Sequence, residues 1–153
     1  MPQTGVGTMP ELADEAATEQ LGETLAQTLQ PGDFVALDGE LGAGKTAFVR
    51  GLARGLGIDP HKVASPTFVT MQSYCGGRIP LIHIDCWRMK HPAELESIGW
   101  DEMLSGSSSV IVVEWASRIA AAIPARHIAV HIAYSGNARR ATITDRRSCT
   151  PTC

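Results

Sequence analysis

The sequence has few lysines and few aromatic residues, and it carries no excess of positive charge. Lysine occurs only at positions 45, 62 and 90, and aromatic side chains make up 5% of the 153 residues. The formal net charge is −3, so no overall positive field attracts nucleic acid, which does not exclude a local basic patch. No stretch of 18 apolar residues occurs, and we therefore predict no membrane-spanning helix.

Cysteine is sparse and shows no metal-binding or redox pattern. The four cysteines form no C-x-x-C pair and have no partner histidines at metal spacing, so free thiols are expected rather than a zinc site or a structural disulfide. The first ten residues lack the basic region and apolar core of a secretory signal. These absences favour a cytoplasmic protein. We predict a flexible leader over residues 1–10, one domain over 11–145 and a flexible polar tail over 146–153.

One motif stands out against this background. Residues 39–46, Gly-Glu-Leu-Gly-Ala-Gly-Lys-Thr, fit the phosphate-binding pattern G-x-x-x-x-G-K-[ST]. A short apolar run at 33–38 predicts a strand before the motif, and helical apolar spacing at 47–56 predicts a helix after it. This order aims backbone N–H groups and a helix N-terminus at one point. The residues predicted to bind the nucleotide phosphates are Glu40, Leu41, Gly42, Ala43, Gly44, Lys45, Thr46 and Ala47, and the Thr46 hydroxyl is also a predicted magnesium ligand.

Two related nucleotide-binding motifs fit less well. Residues 42–47 also match G-x-G-x-x-A, but the acidic residue that a dinucleotide fold needs about 20 positions further on is missing at 62–66. A GTPase is disfavoured because the base-reading sequence N-K-x-D occurs nowhere in the chain. We therefore interpret residues 39–46 as a phosphate-binding loop (P-loop) rather than as part of either of these motifs.

The rest of the chain alternates helical and strand patterns. Residues 11–30 predict one helix, 68–74 and 80–85 an antiparallel hairpin, and 127–134 and 139–144 a second hairpin. Helical turns are expected at 93–98, 100–104 and 115–122, and the β-branched run at 110–114 predicts a buried parallel strand. The sum is an α/β fold: a P-loop NTPase-like three-layer sandwich with a mixed sheet, parallel in its centre and extended by antiparallel hairpins.

Two acids end predicted strands at the edge where ligands bind in such sheets. Glu114 follows the more apolar strand and is the predicted magnesium-side acid, directly or through water. Asp85 is predicted to orient the attacking water or accept its proton. On the same predicted strand as Asp85, His83 alternates with Ile82 and Ile84. We expect this histidine to be packed rather than catalytic.

Two further residues leave alternatives open. Thr67 follows Ser65-Pro66 and either senses the γ-phosphate in a switch loop or belongs to a simple turn. Trp115 either stacks on the base or ribose of a nucleotide or fills the core. Sequence pattern alone does not decide between these roles.

Five blocks together resemble the TsaE (YjeE) family of small bacterial ATPases that serve threonylcarbamoyladenosine synthesis on tRNA. They lie at 37–46, 65–68, 83–88, 98–102 and 114–115, and the resemblance covers about residues 12–135. The chain departs from the family pattern at Trp87, because the block at 83–88 more usually reads H-x-D-x-Y-R, with tyrosine at this position. We expect little functional loss from this exchange because both side chains are large aromatics.

The resemblance implies a function and partners. It implies that the nucleotide is ATP, bound with Mg²⁺, and that the partner proteins are TsaD and TsaB. Contact with tRNA would occur only through the TsaD–TsaB complex, and ATP hydrolysis would reset that complex. It implies binding and hydrolysis by Lys45, Thr46, Asp85 and Glu114, with Thr67 in a switch loop acting in catalysis and Trp115 near the nucleotide. The rival functions are a small-molecule kinase, for which an arginine-rich lid is missing, and a non-catalytic nucleotide-binding adaptor.

Overall fold

A single mixed sheet forms the centre of the protein. The computed structural model describes residues 9–40, 42–64, 71–106 and 108–148. In this part of the chain the strands are β1 (Glu11–Leu12), β2 (Phe34–Gly39), β3 (Met71–Tyr74), β4 (Leu81–Asp85), β5 (Val110–Glu114), β6 (Ile128–Ser135) and β7 (Ala138–Asp145). Their order across the sheet is β1-β7-β6-β2-β5-β4-β3.

The centre of this sheet is parallel and its two sides are antiparallel. Strand β2 pairs in parallel with both β5 and β6, and β4 pairs in parallel with β5. The hairpins β3–β4 and β6–β7 and the short pair β1–β7 are antiparallel. Because β2, β4 and β5 run in the same direction, their carboxyl ends meet at one edge of the sheet, which is where ligands bind in folds of this kind.

Helices cover both faces of the sheet. The α-helices are α1 (Glu15–Ala26), α2 (Lys45–Gly55) and α3 (Trp100–Gly106), and the 3₁₀ helices are η1 (Pro60–Lys62), η2 (Pro92–Ile98) and η3 (Ala116–Ala122). Helices α1 and α2 share one apolar cluster with the sheet, which includes Phe48, Leu52 and Val112. A second cluster on the opposite face joins η2, α3 and η3 to Phe34 and Ile111. These layers confirm the predicted three-layer α/β sandwich.

Helices α1 and α2 lie unusually close because glycines line their contact. A Cβ atom at Gly51 would lie 1.9 Å from the backbone oxygen of Glu19, and one at Gly22 would lie 2.3 Å from the backbone oxygen of Phe48. Neither position has room for a side chain. Helix α2, which starts at the predicted phosphate loop, is therefore fixed in place by direct backbone contact with α1.

The main error in the predicted elements lies near the N-terminus. A single helix over 11–30 was expected, but Glu11–Leu12 is a strand paired with Arg139 and Arg140 of β7. The helix begins only after Asp14, whose side chain accepts a hydrogen bond from the Ala17 amide and caps it. Leucine spacing does not show where a helix starts, whereas the capping aspartate does. The turns predicted as helical at 93–98 and 115–122 are 3₁₀ helices.

Other predictions concern the cysteines, the membrane and the ends of the chain. Cys75 and Cys86 are free thiols. Among the helices of the described ranges, none is long and apolar enough to cross a membrane. The division into leader, domain and tail stays a prediction, since residues 1–8 and 149–153 lie outside the described part. Arg147, within the predicted tail, is nonetheless held by Asp33 and Asp145 at 3.0 and 2.7 Å.

Candidate nucleotide site

The glycine loop connects the end of β2 to the start of α2 at the carboxyl edge of the sheet. Gly42 and Gly44 have φ angles of 79° and 104°, a left-handed region that favours glycine. Gly44 is the N-cap of α2 and supplies no side-chain acceptor to the first-turn amides. Those amides are the groups that an anion uses at a helix N-terminus.

Lys45 is buried at the start of α2 and folds back over the loop. Its Nζ atom donates to the backbone oxygens of Gly39 and Glu40 at 2.7 and 2.9 Å. It also lies 4.1 Å from the ring centroid of Trp115. Burial lowers the pKa of the Lys45 ammonium, and the negative charges of Glu114, Asp85 and Asp38 oppose that shift. A buried cation thus faces the loop, surrounded by acidic groups.

The two predicted acids are neighbours across the sheet. Asp85 and Glu114 are register partners at the ends of β4 and β5. Burial raises the pKa of the Asp85 carboxyl, Glu114 raises it further, and a 2.8 Å hydrogen bond from the Trp87 amide acts in the opposite direction. The geometry therefore brings together Lys45, Asp85 and Glu114 as the sequence predicted.

Glu114 has a partner that the sequence did not predict. The side chain of His83, which is fully buried, places Nε2 2.5 Å from Oε2 of Glu114, which is 3% exposed. His83 lies two residues before Asp85 on β4 and faces Val112 in the register with β5. The expectation that His83 is a packed residue fits its burial, but its contact with Glu114 ties it to the site.

Aromatic and cationic side chains lie beside Lys45. The rings of Trp115 and Trp87 are 4.5 Å apart between centroids, and the guanidinium of Arg118 lies 5.0 Å from the Trp87 centroid. Trp115 adopts φ 58°, the only positive φ of a non-glycine residue in the described ranges. Backbone strain of this kind clusters at functional sites, but Trp115 also packs against the second apolar cluster, so both of its predicted roles stay open.

The β6–β7 hairpin supports the loop from its outer side. Arg139 donates from Nη2 to the backbone oxygen of Gly42 at 3.2 Å, and its guanidinium lies 5.2 Å from the ring of Tyr134. Gly39 lies close to β6, because a Cβ atom there would be 2.5 Å from the backbone oxygen of Ile132. This support depends on residues nearly 100 positions later in the chain and has no local sequence signal.

Two side chains at the site carry oxygen atoms that could ligate a magnesium ion. In the described part of the chain, no group of three or more His, Cys, Asp and Glu side chains could hold a metal. Mg²⁺ in nucleotide sites needs only one or two protein oxygens, because phosphates and waters complete its coordination. Thr46, half-buried in the first turn of α2, and Glu114 are donors of this type.

Not every predicted site residue can be placed. Thr67 and Leu41 lie outside the described residues, so their predicted roles stay predictions. Asp38, which the sequence reasoning left out, is the second-last residue of β2 and accepts a hydrogen bond from the Ser117 amide at 3.0 Å. Its position directly before the glycine motif was the available signal. Arg118 and Arg139 were missed because only the folded chain brings them here.

A glycine loop between a parallel strand and a helix, with a buried lysine and acids on neighbouring strand ends, defines a P-loop NTPase-like protein. The model of the family described as "Threonylcarbamoyl adenosine biosynthesis protein TsaE" matches residues 12–142. The chain belongs to the TsaE family.

Individual relatives agree with this assignment. The chain is 40% identical over 123 residues to the tRNA threonylcarbamoyladenosine biosynthesis protein TsaE of Bacillus subtilis, covering 80% of this chain and 75% of that protein. It is 39% identical over 140 residues to the TsaE protein of a Nostoc species, covering 87% and 83%. The crystal structure of Bacillus subtilis YdiB superposes with a TM-score of 0.76 at 31% identity, covering 93% of this chain and 87% of that one.

Proposed function

We propose that this chain is a Mg²⁺-dependent ATPase that supports threonylcarbamoyladenosine formation on tRNA by acting on the TsaD–TsaB complex. The observation that carries the ATPase proposal is the buried Lys45 ammonium at the N-terminus of α2, bonded only 2.7 and 2.9 Å from two loop carbonyls. The tRNA-modification role rests on membership of the TsaE family.

Lys45 and the loop amides would bind the terminal phosphates. The lysine would exchange its contacts with the Gly39 and Glu40 carbonyls for phosphate oxygens, which carry more negative charge than a carbonyl. Thr46 and Glu114 would hold the magnesium ion, which when bound neutralises charge on the phosphates. The Trp115 ring, next to Lys45, would contact the nucleotide once the lysine is drawn toward phosphate.

Asp85 would act on the attacking water. Its raised pKa, caused first by burial and then by Glu114, brings the carboxyl closer to the range in which it can accept a proton and release it. Thr67 is proposed to complete the site as a switch residue that responds to the γ-phosphate.

Hydrolysis by the isolated chain is proposed to be slow. The two arginines described at the site are engaged in other contacts, since Arg139 bonds the Gly42 carbonyl and Arg118 stacks on Trp87. An arginine that stabilises transferred phosphate is worth several orders of magnitude in rate. We propose that the partner complex completes or activates the site.

The test is phosphate release from ATP by the purified chain, alone and with TsaD–TsaB. The proposal expects slow release alone, faster release with the complex, and co-purification that depends on the nucleotide present. Phosphate transfer to a small-molecule acceptor would instead identify a kinase, and binding without any release would identify a non-catalytic adaptor.

A further inference from the structure

The buried contact between His83 and Glu114 carries one inference, which rests on the proposed function. We propose that His83 is a positioning residue: its Nε2–H group fixes the Glu114 carboxylate in the orientation that receives the nucleotide-bound magnesium. The inference names a function for a histidine that the proposed ATP site does not otherwise use.

The first argument is that Glu114 needs such a partner. It ends a strand in which every residue is buried, and it is itself 3% exposed. A carboxylate in this environment loses most of its hydration, so leaving it without a hydrogen-bond donor would cost folding free energy. His83 supplies one at 2.5 Å.

The second argument is that His83 does little else through its polar atoms. Within the described residues, its Nδ1 atom is buried and has no hydrogen-bond partner. A histidine kept only for packing could be replaced by an apolar residue without leaving such an atom unsatisfied. Retaining a buried polar ring with one unsatisfied nitrogen is explained if the other nitrogen has a required task.

The third argument is geometrical. His83, Asp85 and Glu114 belong to two adjacent parallel strands, so main-chain hydrogen bonds fix their spacing. The contact occupies Oε2 of Glu114 and not Oε1. Donors that hold a ligating carboxylate in this way set its orientation and are worth about ten- to a hundredfold in metal affinity.

The experiment compares two amide variants of His83 in the full-length chain. A glutamine places its amide nitrogen near the position of Nε2 and can still donate to Glu114, whereas an asparagine places its amide near Nδ1 and cannot reach. Binding of a non-hydrolysable ATP analogue is measured by calorimetry, with magnesium and with EDTA. Thermal unfolding of both variants shows that they are folded at the assay temperature.

The inference expects His83→Asn to reduce the magnesium-dependent gain in affinity by about tenfold and His83→Gln to preserve most of it. In EDTA, both variants should bind the ATP analogue with the same affinity as the unaltered protein. Two outcomes would overturn the inference while leaving the proposed function intact. One is that magnesium increases the affinity for the analogue equally in the two variants, and the other is that a variant loses the same affinity with and without magnesium. If the unaltered chain binds no analogue at all, the proposed function fails as well, so the two failures are distinguishable.

Discussion

Lys45 places a positive charge in a buried position against the loop that it would help to fill with phosphate. Replacing it with alanine removes the ammonium that bonds the Gly39 and Glu40 carbonyls. We expect Lys45→Ala to abolish measurable ATP hydrolysis and to weaken analogue binding at least about a hundredfold, because the point charge on the β- and γ-phosphates is lost. Calorimetry and phosphate release provide the measurement.

The exposed Lys62 offers the matched control for this change. Lys62→Ala removes the same charge from the chain and should leave both quantities unchanged. Undiminished turnover in Lys45→Ala, or an equal loss in Lys62→Ala, would contradict the assignment of the phosphate site.

Asp85 illustrates a conflict between stability and activity at a single residue. Its folded pKa is raised by burial and then by Glu114, above the value of about 3.9 for an unfolded aspartate. Its protonated form therefore stabilises the fold below about pH 3.9, and this contribution is lost as the pH rises through the folded pKa. At neutral pH the ionised side chain lowers the free energy of unfolding.

Asp85→Asn should therefore raise the melting temperature at pH 7, by about 2 °C or more, while it slows hydrolysis at least about tenfold. Asparagine can still accept from the Trp87 amide, so that contact is kept. The increase in melting temperature should become smaller as the pH falls toward 4. Glu96→Gln, a change at an exposed acid, is the control. A lower melting temperature at pH 7 would show that the ionised carboxylate stabilises the fold.

Much of the site could be predicted because its residues have local signals. The loop lysine is part of a contiguous motif, and Asp85 and Glu114 each follow an apolar strand, so the rule that parallel strands end at one edge brings them together. The contact of His83 with Glu114 joins residues 31 positions apart. Nothing in the alternation of Ile82, His83 and Ile84 indicates which neighbouring strand supplies the partner.

Helices α1 and α2 show how an element is positioned by residues without side chains. In solution, alanine favours a helix over glycine by about 1 kcal/mol, but a Cβ atom at Gly51 would lie 1.9 Å from the Glu19 carbonyl oxygen. Gly51→Ala should therefore lower the free energy of unfolding by about 1–3 kcal/mol, since the helices must separate. Chemical denaturation measures this value.

Gly106, at the end of α3, provides the comparison for that change. A Cβ atom there would meet nothing within 4 Å, so Gly106→Ala should leave stability unchanged or raise it slightly. If the two alanine variants proved equally stable, close backbone packing of α1 on α2 would be refuted.

At the scale of elements, sequence pattern predicted the strands better than the helix boundaries. The two hairpins and the buried strand β5 lie where alternation and β-branched residues indicated. The predicted start of the helix at residue 11 is wrong because the leucine spacing at 21, 25 and 29 does not fix where the helix begins, and residues 11–12 form an edge strand paired with β7. Tertiary pairing overrode local propensity there.

For the molecule as a whole, Arg147 links distant parts of the chain at the end of the sheet opposite the candidate nucleotide site. Its guanidinium donates to the Thr28 carbonyl at 2.9 Å and to carboxylate oxygens of Asp33 and Asp145 at 3.0 and 2.7 Å. Arg147→Ala should lower the free energy of unfolding by about 1–2 kcal/mol, because the contacts are charged but partly exposed. Thermal melts in low and high salt test it.

The pH dependence of this effect has a definite sign. Hydrogen bonding and the charge of Arg147 lower the folded pKa of Asp145 below its unfolded value. That contribution is present above about pH 3.9 and is lost as the pH falls through the folded pKa. The difference in the free energy of unfolding between the unaltered chain and Arg147→Ala should therefore become smaller at acidic pH. Arg146→Ala, at an exposed neighbour, should have little effect at any pH.

The order of the strands also governs how the protein can assemble on the ribosome. The central strand β2 ends at Gly39, but both strands that flank it, β5 and β6, begin only at Val110 and Ile128. At typical rates of synthesis, the nascent chain must wait on the order of ten seconds before β2 gains its neighbours. A growing polypeptide that already contains the complete glycine loop therefore still lacks the neighbouring strands that hold the loop in place, and its apolar central strand stays unpaired until the last third of the chain emerges.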